Sequence, residues 1–241
     1  MITALIFAGG TGKRMNSKSK PKQFLELHGK PIIIHTIEYF EDHEYIDNIA
    51  VVCIPTWINS LREILERFNI KKVKWIVEGG DTGQKSIYNG LTTIYNDCEN
   101  PEDTIVLIHD GVRPIITEQL ITDNIIAVKK YGSAISVAKE RETIISVNLE
   151  STIETVSDRS VTRIAKAPQS FYLRDIMNAH NNAINDNLEG MIDSASLMRH
   201  YNYPLHTVEC SAENIKITTP MDFYIFRAIY EARENSQIFG L

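Results

Sequence analysis

Short apolar runs alternate along the chain with stretches whose apolar residues recur every three or four positions. Runs of the first kind predict strands buried on both faces, and stretches of the second kind predict helices packed against them. The first strand is expected from Thr3 to Phe7, broken by Ala8-Gly9-Gly10-Thr11-Gly12. Pro31 to Glu41 carries Ile33, Ile34, Ile37 and Phe40 at helical spacing, and Asn48 to Ile54 (NIAVVCI) is a second buried strand. Trp57 to Phe68 is amphipathic, Lys72 to Val77 is a strand, and Ser86 to Tyr95 is a helix. Thr104 to His109 (TIVLIH) is the most apolar strand and stops at Asp110-Gly111, before a helix from Thr117 to Tyr131.

The rhythm then changes. Short strands are expected at Ser133 to Val137 and Thr143 to Val147, and Asn148 to Ala167 is polar, with few apolar residues in phase, as in an excursion outside the core. Alternation resumes with helices at Leu173 to Ile184 and Ser194 to Tyr201. Strands at His206 to Glu209 and Ile215 to Thr218 follow, with a closing helix from Met221 to about Arg233. The expectation is one α/β domain over residues 1–241, a Rossmann-like and mostly parallel sheet with helices on both faces, carrying an extended β-arm at 139–167.

Charge sharpens this picture. The 241 residues are 43% hydrophobic and hold 25 Lys plus Arg against 31 Asp plus Glu, a net charge of −6. That balance argues against nucleic acid or an anionic membrane surface as partner, so any anion site must be local. Cys53, Cys98 and Cys210 form no C-x-x-C pair, which fits a reducing cytoplasm, and neither a signal-peptide pattern nor a membrane-length apolar run is expected.

Between Gly9 and Gln23 stand five cations, Lys13, Arg14, Lys18, Lys20 and Lys22, and no acid. Glycines directly after a strand let backbone N–H groups close on an anion, and the cations add charge, so a polyphosphate is the natural occupant. A solvated basic loop is the alternative. A Walker loop is disfavoured, because Arg14 follows Gly12-Lys13 where Ser or Thr is needed and Phe7 stands at its first glycine. The dinucleotide fingerprint starts at Gly10 and Gly12 but meets Met15, which leaves a dinucleotide-dependent reductase weakly supported. There is no H-E-x-x-H and no G-x-S-x-G, and His109 reads as a packed strand end rather than a base.

Ala8-Gly9-Gly10-Thr11-Gly12-Lys13-Arg14-Met15 and Pro21-Lys22-Gln23-Phe24-Leu25 resemble the signature of the cytidylyltransferases that couple CTP to a sugar-alcohol phosphate, a branch of the nucleotide-diphospho-sugar transferases. Gly79-Gly80-Asp81 with Ser86, the stretch from His109 to Pro114, Arg141-Glu142-Thr143, Asp158-Arg159, the stretch from Pro168 to Phe171 and that from Asn214 to Thr218 resemble the later motifs in the same order. The resemblance implies transfer of CMP from CTP to an alditol phosphate, giving a CDP-alditol and pyrophosphate. It implies Arg14, Lys22 and Lys216 as the cations at the α-phosphate and Asp110 as the ligand of Mg²⁺. The nucleotide would lie along Ala8, Gly9, Gly10, Thr11, Gly12, Lys13, Gly80, Asp81, Ser86 and Gly111. Arg113, Arg141, Thr143 and Arg159 would hold the acceptor phosphate, the last three reaching a neighbour's site through the arm of a homodimer.

Elementary chemistry agrees with that implication. A phosphomonoester's second pKa is about 6, so the nucleophile is largely dianionic at neutral pH and needs no general base. What remains is to hold two repelling anions in line and neutralise the charge that builds, which calls for cations and a metal.

Ala8-Gly9-Gly10, Val112 and Thr218-Thr219-Pro220 resemble the branch acting on D-ribitol 5-phosphate, whereas Asp158-Arg159 resembles the branch acting on 2-C-methyl-D-erythritol 4-phosphate. Three positions depart from both: Ala167 where Thr is usual, Gly111 where Ala is usual, and Gly83-Gln84-Lys85 where an Arg is expected. Ribitol 5-phosphate is the expected acceptor and the methylerythritol phosphate the second choice. A nucleotide-binding homologue without catalysis is the alternative from another class.

Overall fold

The computed structural model describes residues 1–10 and 20–239, with side chains through Asn235. The chain begins with β1 (Ile2–Ala8), a two-strand turn of β2 (Glu26–Leu27) and β3 (Lys30–Pro31), α1 (Ile32–Glu41) and β4 (Asn48–Cys53). It continues through α2 (Ile58–Arg67), β5 (Val73–Glu78), α3 (Gly83–Asp97), β6 (Ile105–Asp110), α4 (Glu118–Tyr131) and β7 (Ser133–Lys139). The last part holds β8 (Ile145–Val147), β9 (Ile153–Val156), β10 (Arg163–Tyr172), α5 (Leu173–Asn185), α6 (Ser194–His200), β11 (Thr207–Glu209) and α7 (Pro220–Phe239).

Seven strands form one sheet in the order β11-β7-β10-β6-β1-β4-β5. β1 is parallel to both neighbours, β4 and β6, and β10 runs antiparallel between β6 and β7. From β1 the chain moves outward through β4 and β5, then returns to the other side of β1 as β6. Strand order therefore reverses between β1 and β6, and ligands of open α/β sheets bind at the carboxyl ends of such a pair.

Both sheet faces are covered, which explains the unbroken apolar runs. Ala4 and Ile6 of β1 pack with Ile33, Ile37 and Phe40 of α1 and with Ile121 and Ile125 of α4. Leu5, on the opposite face, packs with Ile87 and Leu91 of α3 and Ile176 of α5. α4 starts where the Thr117 hydroxyl accepts from Leu120 N–H, satisfying a donor that the first turn leaves free.

Two expectations are corrected. The stretch Ile215 to Thr218 is not a strand: among the described residues its one backbone tie toward the sheet is Ile217 N–H to Val112 O at 2.8 Å. The excursion expected from Asn148 to Ala167 ends early, since Arg163 already enters β10. β10 runs between two buried neighbours and is half polar where it lines an opening, so its pattern lacks the continuous apolar run of a fully enclosed strand.

Candidate active site

The carboxyl ends of β1 and β6 bring Phe7 opposite Asp110, and Gly111 N–H donates to Phe7 O at 3.0 Å. A Cβ on Gly111 would stand 2.9 Å from that of Ala8, so the close crossing after Asp110 suits glycine. The Asp110 carboxylate is buried and takes Arg113 Nε–H on Oδ2 at 3.1 Å and Lys216 Nζ–H on Oδ1 at 2.5 Å. Burial alone would raise the Asp110 pKa, but the charges of Lys216 and Arg113 outweigh it and hold the carboxyl below the usual range. Arg113 also donates to Asn214 O at 2.7 Å, which ties β6 to the segment bearing Lys216.

His109, next to this carboxylate, is fully buried against the Phe40 ring, with Nε2 3.1 Å from Arg113 O. Burial lowers its pKa to about 4 and keeps it neutral, in keeping with a packed strand end.

The glycine turn after β1 is braced from below. Buried Gln23 donates through Nε2 to Ala8 O at 2.6 Å and to Gly10 O at 3.3 Å. Gln23 sits in a single 3₁₀ turn, Lys22–Phe24, anchored by stacking of Phe24 on Trp57 at 4.5 Å between centroids. Opposite the turn, buried Ser86 accepts from Gly80 N–H at 3.0 Å and donates to Gly80 O at 3.3 Å. A Cβ on Gly9 would lie 3.0 Å from Ser86 Oγ and 3.4 Å from Gly79 Cα. Gly9, Gly79, Gly80 and Ser86 thus pack closely as a wall of backbone that leaves little room for a side chain at either Gly9 or Gly79.

Lys22 Nζ donates to Ile217 O at 3.0 Å, which places this cation beside the Lys216 segment although 194 positions separate the two. Lys216 also stands 5.7 Å from the centre of the Phe7 ring. The fold therefore gathers Lys22, Asp110, Arg113 and Lys216 at one end of the sheet, beside Ala8, Gly9, Gly10, Gly80, Ser86 and Gly111.

Not every expected residue joins them. The Asp81 side chain is 91% exposed and pairs with Lys85 at 3.3 Å. Arg141, Thr143 and Arg159 stand exposed on the arm, with Arg159 donating to Thr143 Oγ1 at 3.3 Å, and none lines the cavity described next. Thr11, Gly12, Lys13 and Arg14 lie outside the described residues.

Beside the glycine wall opens a cavity of about 300 Å³, reached by Asp110, Arg113 and Lys216 on one side and by Lys166, Gln169 and Asp193 on the other. Gln169 donates to Asp193 Oδ2 at 2.8 Å and accepts from Ala195 N–H at 2.9 Å, while Asp193 Oδ1 caps α6 through Ser196 N–H at 2.8 Å. Sequence alone assigns no role to Gln23, Lys166, Gln169 or Asp193. Gln23 and Gln169 stand inside recognised motifs, and only the fold shows what their amides hold.

Among the described residues, no group of three or more His, Cys, Asp or Glu is placed to hold a metal. A lone carboxylate at a phosphate site is nonetheless the donor set that suits Mg²⁺, which is usually held by one or two carboxylates together with substrate phosphates and waters.

A mostly parallel sheet with a glycine turn, a buried carboxylate and converging cations at its switch point defines an α/β nucleotidyltransferase. Residues 2–232 match the model of the 2-C-methyl-D-erythritol 4-phosphate cytidylyltransferase (IspD) family, and the chain belongs to that family. It is a CTP-dependent cytidylyltransferase. The ribitol-5-phosphate cytidylyltransferase of Vibrio parahaemolyticus is 52% identical over 240 residues, covering 100% of both chains. The 2-C-methyl-D-erythritol 4-phosphate cytidylyltransferase of Syntrophus aciditrophicus is 35% identical over 235 residues, covering 97% of each. The crystal structure of the Francisella tularensis 2-C-methyl-D-erythritol 4-phosphate cytidylyltransferase superposes with a TM-score of 0.77 at 30% identity, covering 95% of this chain and 98% of that one.

Proposed function

We propose that this chain transfers CMP from CTP to D-ribitol 5-phosphate, giving CDP-ribitol and pyrophosphate. The observation that carries the choice of acceptor is the contrast in identity: 52% over the full chain with a ribitol-5-phosphate enzyme, against 35% with a methylerythritol-phosphate enzyme. A phosphate oxygen of the acceptor forms the new bond to the α-phosphorus. The bond from that phosphorus to the bridging oxygen breaks, and its electron pair leaves with pyrophosphate.

The residues of the site suit each part of this reaction. The glycine wall and Ser86 receive the nucleoside, and Gln23 holds the carbonyls of Ala8 and Gly10. Lys22 and Lys216 bring positive charge to the transferring phosphate, where donors already in place act without reorganising. Lys216 and Arg113 together keep Asp110 ionised, and Arg113 lies on the cavity wall where the acceptor phosphate would arrive. Arg14, by its place in the motif, would join Lys22. Mg²⁺ held by Asp110 with the phosphates of CTP would neutralise charge on the leaving group.

Assembly of two copies through the arm belongs to the same reading. β8 and β9 pair Ile145 with Val156 and Val147 with Ile153, and all four side chains are exposed. Ser146 and Thr155, paired between them, hydrogen-bond to each other at 2.7 Å. A two-stranded hairpin with one apolar and one polar face is marginal by itself, and a second copy would cover the apolar face. Arg141, Thr143 and Arg159 would then serve the neighbour's site. Cys53, Cys98 and Cys210 are free thiols, which supports the reducing cytoplasm as the place of action. Among the described residues no helix is long and apolar enough to cross a membrane.

The test is pyrophosphate release from CTP and Mg²⁺ with ribitol 5-phosphate and 2-C-methyl-D-erythritol 4-phosphate offered in parallel. A kcat/KM at least about tenfold higher with ribitol 5-phosphate is expected, a difference worth roughly 1.4 kcal/mol of transition-state binding. Preference for the methylerythritol compound would reverse the assignment of acceptor.

A further inference from the structure

The β10 wall of the cavity breaks the rule that a strand offers every second side chain to one face. β10 pairs Ala165 with Val137 and next Gln169 with Ile135, so four steps on β10 match two on β7. The surplus forms a bulge, a device that bends a strand and re-aims its side chains. Ala165, Lys166, Ala167 and Gln169 consequently all reach the cavity. The bulge is pinned from two sides: Ser136 Oγ donates to Pro168 O at 2.7 Å, and Asn214 Nδ2 donates to Ala167 O at 2.7 Å.

The bulge places half-buried Lys166 on the wall of this cavity. Both carboxylates on the cavity wall are already committed, Asp110 to Arg113 and Lys216, and Asp193 to Gln169 and Ser196. Among the described residues, Lys166 has no carboxylate within ion-pair distance. Burial and then the positive charge of Arg113 press its pKa below the usual lysine range, as expected of two cations facing one small volume. Such an arrangement is complementary to an anion. Phe7 and Ile87, close in the chain to Gly9 and Ser86, line this cavity together with Asp110 and Lys216, so it adjoins the glycine wall, the position required of a second reactant.

We propose that Lys166 is an acceptor-binding residue, holding the phosphate of the alditol phosphate from within the same subunit, beside Arg113. This rests on the cytidylyltransferase reading, since it assigns the cavity to the acceptor of that reaction. An acceptor phosphate would therefore be gripped in part by its own subunit, and not solely by arginines brought on a neighbour's arm.

The test compares Lys166→Met, which keeps the apolar stem, and Lys166→Arg with the wild-type chain in steady-state pyrophosphate release, varying ribitol 5-phosphate and CTP in turn. For Lys166→Met the KM for ribitol 5-phosphate should rise about ten- to a hundredfold, the worth of one charge-assisted hydrogen bond, while the KM for CTP stays within about twofold. Lys166→Arg should restore most of the acceptor affinity. Inorganic phosphate should inhibit the wild type in competition with the acceptor and inhibit Lys166→Met at least about tenfold less well. An unchanged acceptor KM in Lys166→Met, or equal rises in both KM values, would overturn the role of Lys166 and leave the cytidylyltransferase reading standing. Absence of wild-type turnover with either alditol phosphate would overturn the acceptor reading and this role with it.

Discussion

Replacing Asp110 by asparagine would separate the structural from the chemical work of one carboxylate. The side chains of Asp110 and Arg113 are 7% and 8% exposed, whereas that of Lys216 is 40% exposed. Losing the carboxylate charge leaves Lys216 free to rehydrate, which costs little, about 1 kcal/mol at most. Arg113 cannot rehydrate, and an uncompensated buried guanidinium costs about 3–5 kcal/mol. The asparagine carbonyl can still accept from Arg113 Nε–H, so the lower end, about 3 kcal/mol, is expected. For a chain of this length each kcal/mol moves the midpoint by about 2–4 °C, so Tm should fall by about 6–12 °C in calorimetry. Turnover should fall at least about a hundredfold if Asp110 holds Mg²⁺ as proposed.

A second variant makes the reasoning refutable. Asp110→Asn combined with Arg113→Met removes the stranded charge, so it should recover most of the lost Tm without recovering turnover. The sign of the pH dependence is also fixed. The folded pKa of Asp110 is depressed, so its stabilisation is complete above the unfolded value of about 3.9 and is lost only as pH falls through the lower folded value. The gap in Tm between wild type and Asp110→Asn should therefore be flat from about pH 5 to 8 and close below about 4. A Tm for Asp110→Asn within about 2 °C of wild type at pH 7 would refute the argument that this ion pair holds the two ends of the site together.

Two further predictions concern the rest of the molecule. His35, His109 and His180 are buried, and desolvation lowers each pKa to about 4, so their contribution is present above about pH 6.5 and is lost as pH falls toward 4. The stability read from urea unfolding should fall by roughly 2 kcal/mol per histidine between pH 7 and 5, and a pH-independent urea midpoint would contradict their neutral burial. On the arm, Val147→Asp with Ile153→Asp should convert a dimer to a monomer in sedimentation at micromolar concentration and abolish most pyrophosphate release, while the core keeps its thermal midpoint. A wild-type chain that sediments as a monomer would sink the arm's assigned role.

The hydrophobic rhythm of the chain was enough to determine the layered α/β core. TALIF, NIAVVCI and TIVLIH are largely apolar because β1, β4 and β6 are covered on both faces. The glycine turn after β1 and its crowd of cations were equally legible, because a local excess of charge in an acidic chain is visible without any coordinates. What the rhythm could not reveal is where long-range contacts do the work that local pattern does elsewhere. Ile215 to Thr218 has the composition of a strand, yet it lies off the sheet and is held by Val112 O and the Lys22 ammonium. Arg163 to Tyr172 has a mixed pattern because part of it lines a cavity, yet it is a central strand paired with both β6 and β7.

The site shows the same division. The chemistry of Lys22, Asp110, Arg113 and Lys216 could be anticipated from residue type and motif. The resemblance also implies that Lys22, Asp110 and Lys216 meet; it does not give the contacts that join them, a hydrogen bond from Lys22 to Ile217 across 195 positions and an Asp110 carboxylate shared by Arg113 and Lys216. The register of β10 against β7 decides the rest. Two surplus residues there set the direction of Lys166, and register is a property of two strands together, so neither strand's sequence can state it alone.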